Sequence, residues 1–191
     1  MGPTTDFTHL LGRAKAGDSE AHAQVFALVY DQLRDAARRI GSGRGSPGRG
    51  GHTLQPTALV HEAWLKLAPN LAGVDGRVHF FAVASMAMRQ VLADHARGAR
   101  REKRGGGRER VVFEESRVEA PTADADLCAL DECLEELNGL NPRHARVVEL
   151  RVFGGLTIDE AASELGVSHG TIEADWSMAR AWLLRRLAPG A

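Results

Sequence analysis

A chain of 191 residues and 20.6 kDa, 43% hydrophobic and 26% charged, suffices for one ordinary domain or two small helical ones and is too apolar to be disordered. Its 24 Lys and Arg against 25 Asp and Glu leave a net charge of −1, which on the whole-chain average argues against a simple polybasic nucleic-acid binder. No apolar run approaches the ~20 residues that cross a bilayer, Met1-Gly2-Pro3 opens no secretory signal, and Cys128 and Cys133 make no disulfide framework, so a reducing cytoplasmic setting is expected.

Aromatics at 5% with frequent Ala, Leu and Arg favour helices over sheets. A short helix is predicted around Phe7 to Ala16. After Gly17-Asp18, Val25, Leu28, Val29, Leu33, Ala36 and Ile40 recur at three- and four-residue spacing and predict an amphipathic helix over 19–40. Residues 41–52 read as a Gly-rich flexible loop. Pro56 suits the first turn of the next helix, whose apolar stripe is Leu59, Val60, Ala63, Trp64 and Leu67. That stripe leaves His61, Glu62, Leu65 and Lys66 on the other side. A long helix over about 78–103 starts apolar (Phe80, Phe81, Val83, Met86, Met88) and ends basic. Phe80 and Phe81, at its apolar start, are expected in the core. Residues 105–125 read as a linker, and Leu127, Leu130, Leu134 and Leu137 begin a second helical unit. No strand pattern or long repeat is present, so the expected class is all-α, two small helical domains joined by a tether.

The most informative stretch runs from Thr157 to Ile172. Thr157 with Glu160 forms a capping box, Gly166 fits a tight turn needing positive φ, and Ser168 is a natural N-cap for a following helix. Ile172, Trp176, Ala179 and Leu183 give that helix an apolar face. Together they describe a helix-turn-helix, the alternative being a helical hairpin with no nucleic-acid role. Ser168, His169, Gly170, Thr171, Glu173, Ala174, Ser177 and Arg180 would then face DNA. Glu173 and Asp175 put two carboxylates on the reading helix, where a Glu can accept from cytosine N4 or simply repel phosphate.

An enzyme is disfavoured. His61-Glu62 begins a zinc-protease pattern, but Leu65 stands where the second His is needed. The Gly-rich loop lacks the Gly-Lys-Ser/Thr of a phosphate loop. No histidine spacing suggests a metal, and no cofactor is implied.

In these residues the chain resembles bacterial sigma factors of the extracytoplasmic-function (ECF) type. Leu140-Asn-Pro-Arg-His-Ala-Arg-Val-Val-Glu-Leu150 with the helix-turn-helix looks like their fourth domain. Leu54-Gln-Pro-Thr-Ala-Leu-Val-His-Glu-Ala-Trp-Leu-Lys-Leu67 and the helix from Phe80 to Arg104, with Asp94 and Arg97 in Asp-x-x-Arg spacing, look like their second. The two blocks stand in the family's order over about 160 of the 191 residues. The resemblance implies a second sigma domain at 5–104, a linker at 105–125 and a fourth sigma domain at 126–188, with no added C-terminal domain. It implies no catalysis, and core RNA polymerase and promoter DNA as partners, with an anti-sigma or other regulatory protein as a further one. His61, Glu62, Leu65 and Lys66 would contact the polymerase clamp. Arg89, Asp94, Arg97, Arg100, Arg101, Lys103 and Arg104 would engage the −10 element, the loop over 70–77 would take a flipped base, and the reading helix would meet the −35 element. A free-standing helix-turn-helix regulator and a sigma that binds polymerase without promoter selectivity are the alternatives.

Segmental charge refines the opening balance. Residues 77–110 hold nine basic and three acidic side chains, whereas 111–140 hold one basic and nine acidic. A further expectation is that Glu114, Glu115, Glu119, Asp124 and Asp126 screen the basic helix in the free protein.

Overall fold

The computed structural model describes residues 3–41, 54–102 and 124–187, and every regular element among them is helical, as the sequence predicts. Helix α1 (Pro3–Lys15) turns into α2 (Ser19–Gly41) through Gly17, whose φ of 91° strains any residue with a Cβ. Asp18 caps α2: its Oδ1 accepts the backbone N–H groups of Glu20 and Ala21, both at 3.0 Å, while its Oδ2 holds Arg13. The inward stripe of α2 is Val25, Val29, Leu33, Ala36 and Ile40. Leu28, expected in that stripe, is 46% exposed, because it sits one residue before Val29 and so about 100° around the helix from it.

Pro56 opens α3 (Pro56–Leu67), which buries Leu59, Val60, Ala63 and Leu67 and runs into a 3₁₀ segment, Ala68–Gly73. Helix α4 (Gly76–Glu102) follows. Phe80 and Phe81 are buried at its start, in the core as expected. The Arg77 guanidinium lies 5.7 Å from the Phe7 ring and 5.2 Å from that of Phe81, and donates to Gln32 Oε1 at 2.9 Å. One of the basic residues of this helix is thus spent on holding α4 to α1 and α2.

The C-terminal half comprises α5 (Asp124–Leu140), α6 (Pro142–Val148), a π-helical turn (Glu149–Phe153), α7 (Ile158–Leu165) and α8 (His169–Leu187). Leu127, Leu130, Leu134 and Leu137 are all buried, as their spacing predicts. Asn141 caps α6 by accepting from the N–H groups of Arg143 (3.1 Å) and His144 (3.2 Å), with Pro142 in the first turn.

Helix α4 is the axis of the molecule. One side packs on α1 and α3, the other on α5, the π-turn and α7. Its buried set, including Ala82, Ser85, Met88, Val91, Leu92 and Ala96, therefore spans more of the helix circumference than one amphipathic stripe. The two halves share one continuous hydrophobic core reaching from Phe7 to Leu183. Gly154 makes the approach possible: a Cβ there would lie 2.7 Å from the Leu150 carbonyl oxygen and 3.1 Å from Ser85 Cβ on α4. Residues 42–53 and 103–123, which take in most of the Gly-rich loop expected over 41–52 and of the linker expected over 105–125, with Glu114, Glu115 and Glu119, lie outside the described residues.

Candidate nucleic-acid interface

The helix-turn-helix is built by local hydrogen bonds. Thr157 Oγ1 accepts the Glu160 N–H at 3.2 Å, and Glu160 Oε2 accepts the Thr157 N–H at 2.8 Å, closing the capping box. Gly166 sits at φ 64° and ends α7, and the Val167 N–H reaches the Ala162 carbonyl at 3.1 Å. Ser168 Oγ then accepts the Thr171 N–H at 3.2 Å, starting α8. Ile172, Ala179 and Leu183 are buried beneath it and Trp176 is half-buried. The opposite face presents Ser168, His169, Gly170, Glu173, Ala174 and Ser177 to solvent, with Thr171 and Arg180 half-buried at its edges. These are the residues the sequence assigns to that face.

Asp175 is a correction. It is 5% exposed and turned inward, where Arg143 holds it in a bidentate pair (Nε 2.5 Å, Nη2 3.1 Å) and His144 Nε2 lies 3.2 Å away. The Arg143 hydrogen bonds hold its carboxyl below the usual range, outweighing the effect of burial. The position is set by helix period: 172, 175, 179 and 183 share a stripe, so Asp175 belongs with the core face. Only Glu173 remains as an outward carboxylate in this region of α8. His169 lies between two carboxylates, its Nε2 3.4 Å from Glu173 Oε1 and its Nδ1 2.6 Å from Asp159 Oδ1. The bond to Asp159 is the chief cause that raises His169 above the ordinary imidazole range.

On α3, His61, Glu62, Leu65 and Lys66 are all exposed, Leu65 at 71%. His61 Nδ1 donates to the Thr57 carbonyl at 2.8 Å, and its ring stands edge-on to Phe26 (5.4 Å) and Tyr30 (6.1 Å). Phe26 also lies 4.9 Å from the Trp64 ring. This aromatic floor from α2 is missing from the sequence reading, although Phe26 and Tyr30 stand four apart and off the main stripe of that helix. Lys66 reaches across to α4, with Nζ 3.0 Å from Asp94 Oδ2.

The basic helix differs from expectation most. Asp94 and Arg97 pair with each other at 2.9 Å, and Arg97 Nη1 also reaches Asp131 Oδ2 on α5 at 2.8 Å. Hydrogen bonds from Arg97 and Lys66 lower Asp94 below the usual carboxylate range. Arg89 donates to Asp131 Oδ1 (3.0 Å), Glu149 Oε1 (2.6 Å) and Glu135 Oε1 (2.5 Å), and its side chain is only 12% exposed. Burial alone would lower this guanidinium, and the surrounding carboxylates more than offset that. Arg146 joins the cluster, with Nη1 2.9 Å from Glu149 Oε2 and Nη2 3.0 Å from the Ala82 carbonyl. Arg100 and Arg101 lie in the last turn of α4, and Lys103 and Arg104 lie outside the described residues. In the loop before α4, Leu71 and Val74 are buried while Asn70, Ala72, Gly73 and Asp75 are exposed. The Asp75 N–H donates to His79 Nδ1 at 3.0 Å, fixing its exit.

Among the described residues no group of three His, Cys, Asp or Glu side chains is placed to hold a metal, and no helix is long and apolar enough to cross a membrane. Residues 4–188 match the family described as ECF sigma factor. The structure of CnrH in complex with the cytosolic domain of CnrY is 22% identical, with a TM-score of 0.47 over 94% of this chain and 96% of that one. No curated protein matches.

Proposed function

Because this chain belongs to the ECF sigma factor family, a non-enzymatic family of DNA-binding transcription-initiation proteins, we propose that it binds core RNA polymerase in the cytoplasm and directs promoter recognition and melting. The observation that carries the proposal is the capped helix-turn-helix whose Ser168-to-Arg180 face is exposed over a buried apolar face. Such a helix fits the major groove, and here it would meet the −35 element through His169, Thr171, Glu173, Ser177 and Arg180. With Asp175 turned inward and held by Arg143, one carboxylate of α8, Glu173, remains on the face proposed to meet DNA.

Helix α4 supplies the −10 contact through the basic residues Arg97, Arg100 and Arg101, which neutralise phosphates without reading sequence. The exposed edge of the loop before it, Asn70 to Asp75, is the place for a base unstacked from the duplex. The exposed face of α3, His61, Glu62, Leu65 and Lys66 over the Phe26 and Tyr30 rings, supplies the polymerase contact. Residues 5–104 would thus act as the second sigma domain and 126–188 as the fourth, with an anti-sigma protein as a candidate regulator.

Mixing the chain with core polymerase and a genomic promoter library tests this. The expected result is a holoenzyme in size-exclusion chromatography and permanganate-reactive thymines in a subset of promoters. Holoenzyme without open complexes would favour a sigma lacking promoter selectivity. A dimer on palindromic duplex without polymerase would favour a free-standing regulator.

A further inference from the structure

We propose that Arg143 and Arg151, both outside the helix-turn-helix, are positioning residues for −35 recognition: they grip Asp175 and Trp176 on the inner side of α8 and so set the rotation at which its outer face meets base edges. That α8 reads the −35 element is taken from the function proposed above; the grip itself stands on geometry.

The first arm comes from α6. Arg143 holds the buried Asp175 carboxylate through two hydrogen bonds, from Nε and Nη2, and His144 Nε2 lies 3.2 Å from the same group. The backbone N–H groups of Arg143 and His144 are the pair that Asn141 Oδ1 accepts. One capped turn is thus fixed through its backbone and holds α8 through its side chains. The second arm comes from the π-helical turn that follows α6. Arg151 Cζ lies 5.4 Å from the centre of the Trp176 ring, and Arg151 Nη1 donates to the Leu156 carbonyl at 3.0 Å.

Adjacent helix residues point about 100° apart, so the two arms hold α8 from different directions. The apolar residues beneath it, Ile172, Ala179 and Leu183, do not fix an angle as closely, because the hydrophobic effect is not directional. A bidentate guanidinium–carboxylate pair is directional. Asp175 stands two residues from both Glu173 and Ser177, about 200° around the helix, so the gripped side lies opposite the reading side. At a radius of about 5 Å, a rotation of about 20° moves a side-chain tip by roughly 2 Å. Hydrogen bonds tolerate a spread of only about 0.5 Å, so such a rotation would exchange one base contact for another or for none.

The test uses Arg143→Lys, which keeps the charge at an exposed position but removes the planar fork that makes the bidentate contact. Arg151→Lys does the same on the second arm, and Arg13→Lys, in the Arg13–Asp18 pair joining α1 to α2, is the control. Each full chain is assembled with core polymerase and selected on promoter duplexes randomised at the −35 element, and its affinity for a mixed-sequence duplex is measured at fixed salt. Residual dipolar couplings of the free chain give the rotation of α8 relative to α6. Arg143→Lys is expected to turn α8 and to lower the ratio of preferred to disfavoured −35 sequences about tenfold. Its mixed-sequence affinity should stay within about twofold, since no phosphate-binding charge is lost. Arg151→Lys should move both readouts in the same direction, and Arg13→Lys neither. An unturned α8 in both arm variants, or an unchanged ratio, would overturn the inference. So would an equal loss on preferred and mixed sequences, which a merely destabilised domain would give. A wild-type holoenzyme with no −35 preference would refute the function proposed above and with it the reading role, while a turned α8 would still uphold the grip.

Discussion

Helix α8 holds Ser168, His169, Glu173 and Ser177 in solvent, while on α4 Arg89 is enclosed by three carboxylates from the other half of the chain. Both helices were expected to meet DNA, and on charge alone α4 was the better prepared. The difference lies in where each finds its partners. His169 is bonded to Asp159, ten residues away, whereas the partners of Arg89 stand 42, 46 and 60 residues along the chain. A face organised by nearby caps and turns stays open, because its polar groups are satisfied within the motif. A face whose charges attract distant opposite charges becomes an interface. A segment's net charge measures its capacity to bind a polyanion, not its availability.

Four measurements test this contrast. The largest effect is expected for Arg89→Ala, which leaves Asp131 and Glu149, side chains 17% and 13% exposed, sharing only Arg97 and Arg146. Removing one partner from a buried ionic cluster costs about 3 kcal/mol, roughly a 6–12 °C fall in Tm for a chain of this size. A Tm within a degree of wild type would mean that α4 is not covered in solution.

Asp175→Ala should cost about 2 kcal/mol through loss of a charge-assisted bidentate contact, with the loss confined to the C-terminal half in hydrogen exchange. Because Asp175 has a lowered pKa in the folded chain, its contribution is complete above the ordinary carboxylate value and disappears as pH falls through the folded one. The gap between wild type and variant should therefore close in acid. A gap that persists there would point to lost packing instead of lost charge.

Asn141→Ala removes the acceptor for two N–H groups at the start of α6 and should cost about 1 kcal/mol. The smallest effect concerns the open face. His169 has a raised pKa, so its link to Asp159 is fully formed below the ordinary imidazole value and weakens as pH rises through the folded one. The NMR midpoint of the His169 ring should fall in Asp159→Asn. No change would show that α8 lies free of α7 at that contact.

Much of this molecule was legible in one dimension. The period of Leu127, Leu130, Leu134 and Leu137, the Thr157–Glu160 capping box, the positive φ of Gly166 and the N-terminal Pro56 are set by local sterics and hydrogen bonding, and all appear where the sequence predicts them. The outward face of α8 followed from the same period. Leu28 was misplaced, and the charge of Asp175 was counted against DNA contact, although helical spacing alone separates Leu28 from the α2 stripe and puts Asp175 on the buried side of α8.

The sequence alone was enough for the all-helical class and for the solvent-facing side of α8, because helix caps, turn glycines and 3.6-residue spacing act over a few residues. Tertiary structure decided which of the charges remain free. The two halves meet through Gly154 against Ser85 and through Arg89 among Asp131, Glu135 and Glu149, contacts between segments far apart in the chain. Charge attraction depends on distance in space, and no pattern along the chain encodes which opposite charge will arrive beside Arg89 once both halves have folded.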